Sequence, residues 1–257
     1  DDSTNLMQLF YIVAKLNLTG FTSTTNKAIK HALKTRNDSY FDNENAHLYF
    51  LKILNLPQGV ASTLNLMQRL SVLSGYIPEF QAISCQMQYD LFHLYTVDAH
   101  TLMLVGYLEK FYQSSQFDKF PYATQCKEFA HQDILYLTAL FHDIGKGRGG
   151  NHSHIGAKIA YDFCQKIHLE EEKTTLISWL VENHLVMSHF AQTKDIYDDK
   201  VIQEFVKIIQ TKEKLSYLYL FTVADMLATN PSLWNDWRAS LLQELYLSSK
   251  LCLESTN

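Results

Sequence analysis

One short stretch constrains this chain more than any other: Leu137-Thr138-Ala139-Leu140-Phe141-His142-Asp143-Ile144-Gly145-Lys146-Gly147-Arg148-Gly149-Gly150. An apolar run that reads as a buried helix ends in an adjacent histidine and aspartate, then breaks into a loop of glycines and two cations. Neighbouring helical residues differ in direction by roughly 100°, so His142 and Asp143 splay apart, yet at a helix end both can converge on one small object. A divalent metal ion is such an object. Imidazole and carboxylate together suit a borderline cation, and a carboxylate has two oxygens, so Asp143 can bridge two ions while His142 holds one. On the dipeptide alone the plainer reading prevails: a helix C-terminus where His142 complements the dipole, Gly145 caps and Asp143 faces water.

The surroundings of that stretch are helical. Leu6, Leu9, Phe10, Val13 and Leu16 recur at three- and four-residue steps, and the pattern breaks at Gly20 to Asn26. Lys30 to Asn45 is polar and reads as a loop. Helical spacing resumes at Leu48 to Leu54, is interrupted at Pro57-Gln58-Gly59, and continues through Leu64, Met67, Leu70 and Leu73. Thr96 as N-cap and Asp98 in the first turn predict a helix to about Tyr112, with His100 on the face of Leu104, Leu108 and Phe111. Further helices are expected at Asp133 to Asp143, Asn151 to Ile167, Glu171 to Leu185, Val201 to Gln210, Lys214 to Thr229 and Trp234 to Leu253, with a polar stretch over Gln192 to Lys200. No sustained period-two alternation occurs, so the expected class is all-α: a helical bundle over 81–257 with an N-terminal helical extension over 1–80.

Composition narrows the function. The net charge of −5, with 22 Lys and Arg spread thinly, argues against a nucleic-acid surface. No run approaches the roughly 18 apolar residues of a membrane span. The four cysteines, Cys85, Cys126, Cys164 and Cys252, stand far apart and fit reduced thiols, so a soluble, cytoplasmic protein is expected. The chain opens Asp1-Asp2-Ser3 without Met, which reads as a piece of something longer.

Four separate helices each offer one polar group on an apolar face or its edge: His100, His142 with Asp143, His184, and Asp225. His152 opens the helix after the glycine loop. Asp225 lies in Leu218-Tyr219-Leu220-Phe221-Thr222-Val223-Ala224-Asp225, where an unpaired carboxylate would cost several kcal/mol. It needs a positive partner, no Lys or Arg is close in sequence, and a metal would satisfy it. Any one of these histidines alone is explained by a hydrogen-bonded core position; their joint occurrence is harder to explain that way.

The order His100, His142-Asp143, Asp225 resembles the H…HD…D signature of the HD-domain phosphohydrolases, in the extended form with additional histidines at His152 and His184. More narrowly, the chain resembles the uridylyl-removing HD domains of bifunctional PII-modifying enzymes over roughly residues 64–246. The segments that carry this are Gly75 to Phe80, Asp90 to Thr101, Leu140 to Ser153, Asn183 to Ser188, Ala191-Gln192, Asp195-Ile196, Thr222 to Asp225 and Thr229 to Trp237. No Gly-Ser motif with paired aspartates is found, so the transferase half is expected to be absent, as are the regulatory domains of a full-length chain. Asn183 stands where some two-metal members carry a further histidine, which leaves one ion or two.

The resemblance implies a fold, a chemistry and a partner. His100, His142, Asp143 and Asp225 would hold a first divalent ion, and Asp143, His152 and His184 a second, manganese or magnesium in the first place with iron or zinc open. Asp143 and Lys146 would carry catalysis; Lys146, assisted by Arg148, would meet a phosphate oxygen. The implied substrate is the uridylyl-tyrosine linkage of the PII signalling protein, with UMP as product. Three other readings stand beside it: an HD phosphohydrolase for free or cyclic nucleotides or alarmones, a non-catalytic PII-interaction module, and a metal-free helical fragment.

Overall fold

A computed structural model describes residues 2–84, 86, 95–113, 126–127, 130–230, 232 and 234–255. Of the sequence features above, Cys85, Asp90 to Leu94, Pro231 and Leu233 lie outside the described residues. Among the described residues there are fourteen helices and no β-strand. None of these helices is long and apolar enough to cross a membrane.

The N-terminal helices are α1 (Ser3–Lys15), α2 (Ser23–Thr35), α3 (Glu44–Leu54), α4 (Val60–Arg69), α5 (Val72–Tyr76) and α6 (Pro78–Ile83). Two departures from the sequence pattern occur here. The Thr/Ser run that breaks the first periodicity is a helix start: Thr22 is an N-cap accepting from the Thr25 N–H, and α2 then runs into the expected loop as far as Thr35, burying Ile29 and Leu33. Leu16 falls just past the end of α1 and is 61% exposed, so the apolar face ends at Val13 and Ala14.

The rest of the chain forms α7 (Val97–Tyr112), α8 (Gln132–Phe141), α9 (His152–Lys166), α10 (Glu171–Asn183), α11 (Val186–Thr193), α12 (Asp199–Ile209), α13 (Lys212–Thr229) and α14 (Asp236–Ser255). Helix α11 is absent from the sequence reading; its eight residues occupy the approach to the polar stretch. Helix α8 is buried on every side from Asp133 to Phe141, and α13 is buried without a break from Leu215 to Ala224. Helices apolar all round belong at the centre of a bundle. Each large side chain they bury, such as Phe141 and Phe221, contributes about 1.5–3 kcal/mol.

Helix α7 packs against α4, α8 and α13, so it links the N-terminal helices to the central pair. Glu109 of α7, 8% exposed, accepts from the Val60 N–H at 2.8 Å and the Ala61 N–H at 3.3 Å, closing the first turn of α4. A buried carboxylate at a helix N-terminus satisfies donors that the helix itself leaves open.

Helices α8, α10 and α13 run side by side in the same direction. Residues at their starts, His131, Glu171 and Glu213, line one cleft. Their other ends carry His142, His184 and Asp225, which meet at a single cluster.

Candidate metal centre

Each functional side chain is delivered by a helix end. His142 is the C-cap of α8 and His184 the C-cap of α10, while Asp225 lies in the last two turns of α13. His100 sits in the first turn of α7, and His152 is the first residue of α9, whose N-cap Asn151 accepts from the N–H groups of Ser153 and His154. Carbonyl ends of three helices facing one point favour positive charge there.

The six groups converge. His100 Nε2 lies 3.0 Å from Asp225 Oδ1 and 3.2 Å from His142 Nε2. His142 Nε2 is 3.2 Å from Asp143 Oδ2 and 3.8 Å from Asp225 Oδ1. The other oxygen of Asp143 faces elsewhere: Oδ1 is 3.6 Å from His152 Nε2 and 3.9 Å from His184 Nε2. Two triads result, His100–His142–Asp143 and Asp143–His152–His184, each with its ligand atoms within 4.8 Å of one another, and Asp143 belongs to both through different oxygens.

Tautomers are set by the backbone. Carbonyl oxygens only accept, so His142 Nδ1–H donates to Ala139 O and His184 Nδ1–H to Val181 O, both at 2.7 Å. In the neutral rings Nε2 is then an electron pair aimed into the cluster. Phe221 packs its ring 5.4 Å from that of His142 and 6.2 Å from that of His184, limiting how either imidazole can turn. Nitrogen and carboxylate donors separated by 3.0–3.9 Å match the spacing of neighbouring ligands around a cation with bonds of about 2.0–2.2 Å. A divalent metal therefore fits these residues.

Burial and charge set the protonation states. Burial alone would raise the Asp143 carboxyl, but His142, Lys146 and His184 around it hold it well below the usual range. Burial likewise opposes ionisation of Asp225, and its contact with His100 outweighs that and lowers it. His184 is pushed down to about 4 by burial and by His142, while the partly exposed His152 is lowered chiefly by burial. In His142 burial is the largest influence and acts downward, but the Asp143 and Asp225 carboxylates together with its hydrogen bonds reverse it, and the value is raised.

Of the residues singled out in the sequence, His100, His142, Asp143, His152, His184 and Asp225 come together. Asp225 is 19% exposed at the edge of the cluster, less enclosed than its apolar neighbours suggested, and it meets the His100 imidazole rather than a Lys or Arg. Lys146 reaches the cluster too, with Nζ 2.7 Å from Asp143 Oδ2. Arg148 joins none of these pairs; it is exposed on the loop between Gly147 and Gly149, both at positive φ. Asn183 turns its amide to Trp179 O, and Asp195 accepts from the Tyr197 N–H as a loop cap.

Two glycines matter more than their sequence positions suggested. A Cβ at Gly156 would lie 2.9 Å from Phe141 O and 3.2 Å from Val181 Cγ1, and one at Gly145 would lie 2.3 Å from His152 O. Their bare backbones let α9 press against the end of α8 and bring His152 to Asp143. The only hint in the sequence is a glycine inside a helical pattern, which costs about 1 kcal/mol unless packing requires it.

An all-helical bundle that gathers H…HD…D and two further histidines around one carboxylate defines an HD-domain metal-site protein. A family model described as the HD domain matches residues 97–230, and the chain belongs to that family. A second model, described as the uridylyltransferase GlnD third domain, matches residues 1–76. The motif is consistent with the uridylyl-removing domain of a bifunctional enzyme. The chain is 44% identical over 247 residues to the bifunctional uridylyltransferase/uridylyl-removing enzyme of Acinetobacter baumannii, an alignment covering 95% of the chain. It is 42% identical to the proteins of that name from Methylococcus capsulatus and Pseudomonas aeruginosa, over 250 and 251 residues and 96% of the chain. The chain spans 28% of the length of each of these relatives.

Proposed function

We propose that this chain is a metal-dependent phosphodiester hydrolase that removes uridylyl groups from a tyrosine of the PII signalling protein and releases UMP, with residues 1–80 as a helical connector and 81–257 as the catalytic unit. The observation that carries the reading is the division of Asp143, whose Oδ2 faces one histidine pair and whose Oδ1 faces another. The name shared by the relatives includes the words uridylyl-removing, which supports the choice of substrate.

In this reading His100, His142, Asp143 and Asp225 hold one divalent ion, and Asp143, His152 and His184 a second, with manganese or magnesium preferred. Such ions, when bound, supply Lewis-acid polarisation of a phosphoryl oxygen and acidify water. The chain's own residues do the rest. His142 and His184 keep their proton on Nδ1 and offer Nε2. Asp143 stays ionised and shares its charge between the two triads. Lys146, 21% exposed, pairs with a non-bridging phosphate oxygen, and Arg148 on the glycine loop assists it.

The test is release of UMP from uridylylated PII by the manganese-loaded chain, followed by chromatography, with free nucleotides, cyclic nucleotides and alarmones offered in parallel. Release from PII that disappears in Asp143→Asn is the expected result. Turnover of a free nucleotide but not of modified PII would replace the substrate. PII binding without turnover of any compound would make the chain an interaction module.

A further inference from the structure

Asp143 Oδ2 is claimed from two directions. On one side stand His142 Nε2 at 3.2 Å and His100 Nε2 at 3.9 Å. On the other stands the Lys146 ammonium at 2.7 Å, closer than any imidazole is to either oxygen of Asp143. Asp143 is 3% exposed, so this ion pair lies where water screens little. An ammonium and a doubly charged ion sharing one enclosed oxygen repel each other strongly.

We propose that Lys146 is an exchangeable counter-cation: its ammonium and a divalent ion in the His100–His142–Asp143 triad compete for Asp143 Oδ2, and loading the triad releases the ammonium to solvent. This rests on the metal-centre reading above.

The local structure allows the side chain to move while the backbone stays. The Ile144 N–H donates to Phe141 O at 3.2 Å and the Lys146 N–H to Asp143 O at 3.0 Å, and Gly145 is wedged against His152 O. Only the four-carbon stem of Lys146 is left to swing, and it already reaches solvent, being 21% exposed. Two consequences follow. The lysine lowers the affinity of the first triad for its ion. It also makes the cation that meets an anionic substrate available only after the ion is in place, so metal loading precedes productive substrate binding.

The experiment titrates manganese into the metal-stripped full chain by calorimetry, in wild type, Lys146→Met and Lys146→Gln. In parallel, the rate of Lys146 acetylation by acetic anhydride is read by peptide mass spectrometry on wild type, with and without manganese. Competition predicts first-ion binding about tenfold or more tighter in both variants, and faster Lys146 acetylation once wild type is loaded. Unchanged or weaker binding in the variants, or acetylation that manganese leaves unchanged or slows, overturns the proposal while the metal centre stands. Should either variant fail to fold, the acetylation measurement on wild type decides alone. Wild type that binds no manganese, behaving like His142→Ala, removes the metal-centre reading and this inference with it.

Discussion

His142 and His184 repeat one another's geometry. Each is the C-cap of its helix, and each donates Nδ1–H at 2.7 Å to the carbonyl three residues earlier, Ala139 in one case and Val181 in the other. Their rings stand edge to face with centroids 5.2 Å apart. The same local device, used at two parallel helix ends, aims two electron pairs into opposite halves of a cluster joined by Asp143.

Because Asp143 serves both triads, Asp143→Asn should abolish binding of every divalent ion, whereas His152→Ala should remove only the ion nearest Asp143 Oδ1. Affinity for the ion lost should fall by at least about a hundredfold, since even outer-sphere partners of metal ligands are worth roughly 10–100-fold. Elemental analysis after dialysis against manganese would show the stoichiometry.

Gly156→Ala should destabilise the fold by about 1–3 kcal/mol, the usual cost of forcing extra volume into a packed interior. The added methyl would lie 2.9 Å from Phe141 O, a backbone atom, and 3.2 Å from Val181 Cγ1, so the two helices must shift to admit it. Displacing α9 also withdraws His152, so the variant should lose affinity in the second triad more than in the first. Urea unfolding and manganese titration check the two halves of this expectation.

Acid should weaken the metal-stripped protein through His184. Its folded value is about 4 against an ordinary 6.5, so the unfolded chain takes the proton first. The stability this represents is complete above about pH 6.5 and is lost as pH falls towards 4, on the order of 3 kcal/mol in all. His142, raised rather than lowered, contributes with the opposite sign, its share being lost as pH rises. Denaturant unfolding at pH 7 and pH 5 should show a smaller loss in His184→Gln than in wild type. An equal loss would mean that His184 protonates as easily folded as unfolded.

Glu109→Ala should cost about 1–3 kcal/mol, the penalty for leaving buried backbone donors unsatisfied. The Val60 and Ala61 N–H groups would lose their acceptor at the junction of α4 and α7. Thermal unfolding would register the change. Since His100 is two and a half turns away on the same helix, manganese affinity should change little.

Much of the site is legible in the sequence, because its chemistry depends on residue types that an apolar helix seldom tolerates. His100, His184 and Asp225 stand out against their neighbours for that reason, and all three reach the cluster. The start of α7 followed from Thr96 and Asp98, and the end of α8 and the start of α9 from the glycine loop. What the sequence hid depends on distance rather than pattern. The Thr/Ser run before α2 looks like a break because a cap and a loop use the same residues. The ion pair between Lys146 and Asp143 cannot be told in sequence from a solvated loop lysine. Nor does any pattern record that Gly145 and Gly156 let two backbones touch.

The parallel course of α8, α10 and α13 makes the length of each shaft decide where its terminal ligand falls. Inserting or deleting one residue between the start of any of them and its terminal ligand would swing that ligand through roughly 100° and shift it about 1.5 Å along the axis. Variation in size among proteins built on this plan should therefore collect in the connecting loops, while the number of residues from Gln132 to His142, from Glu171 to His184 and from Lys212 to Asp225 stays constant.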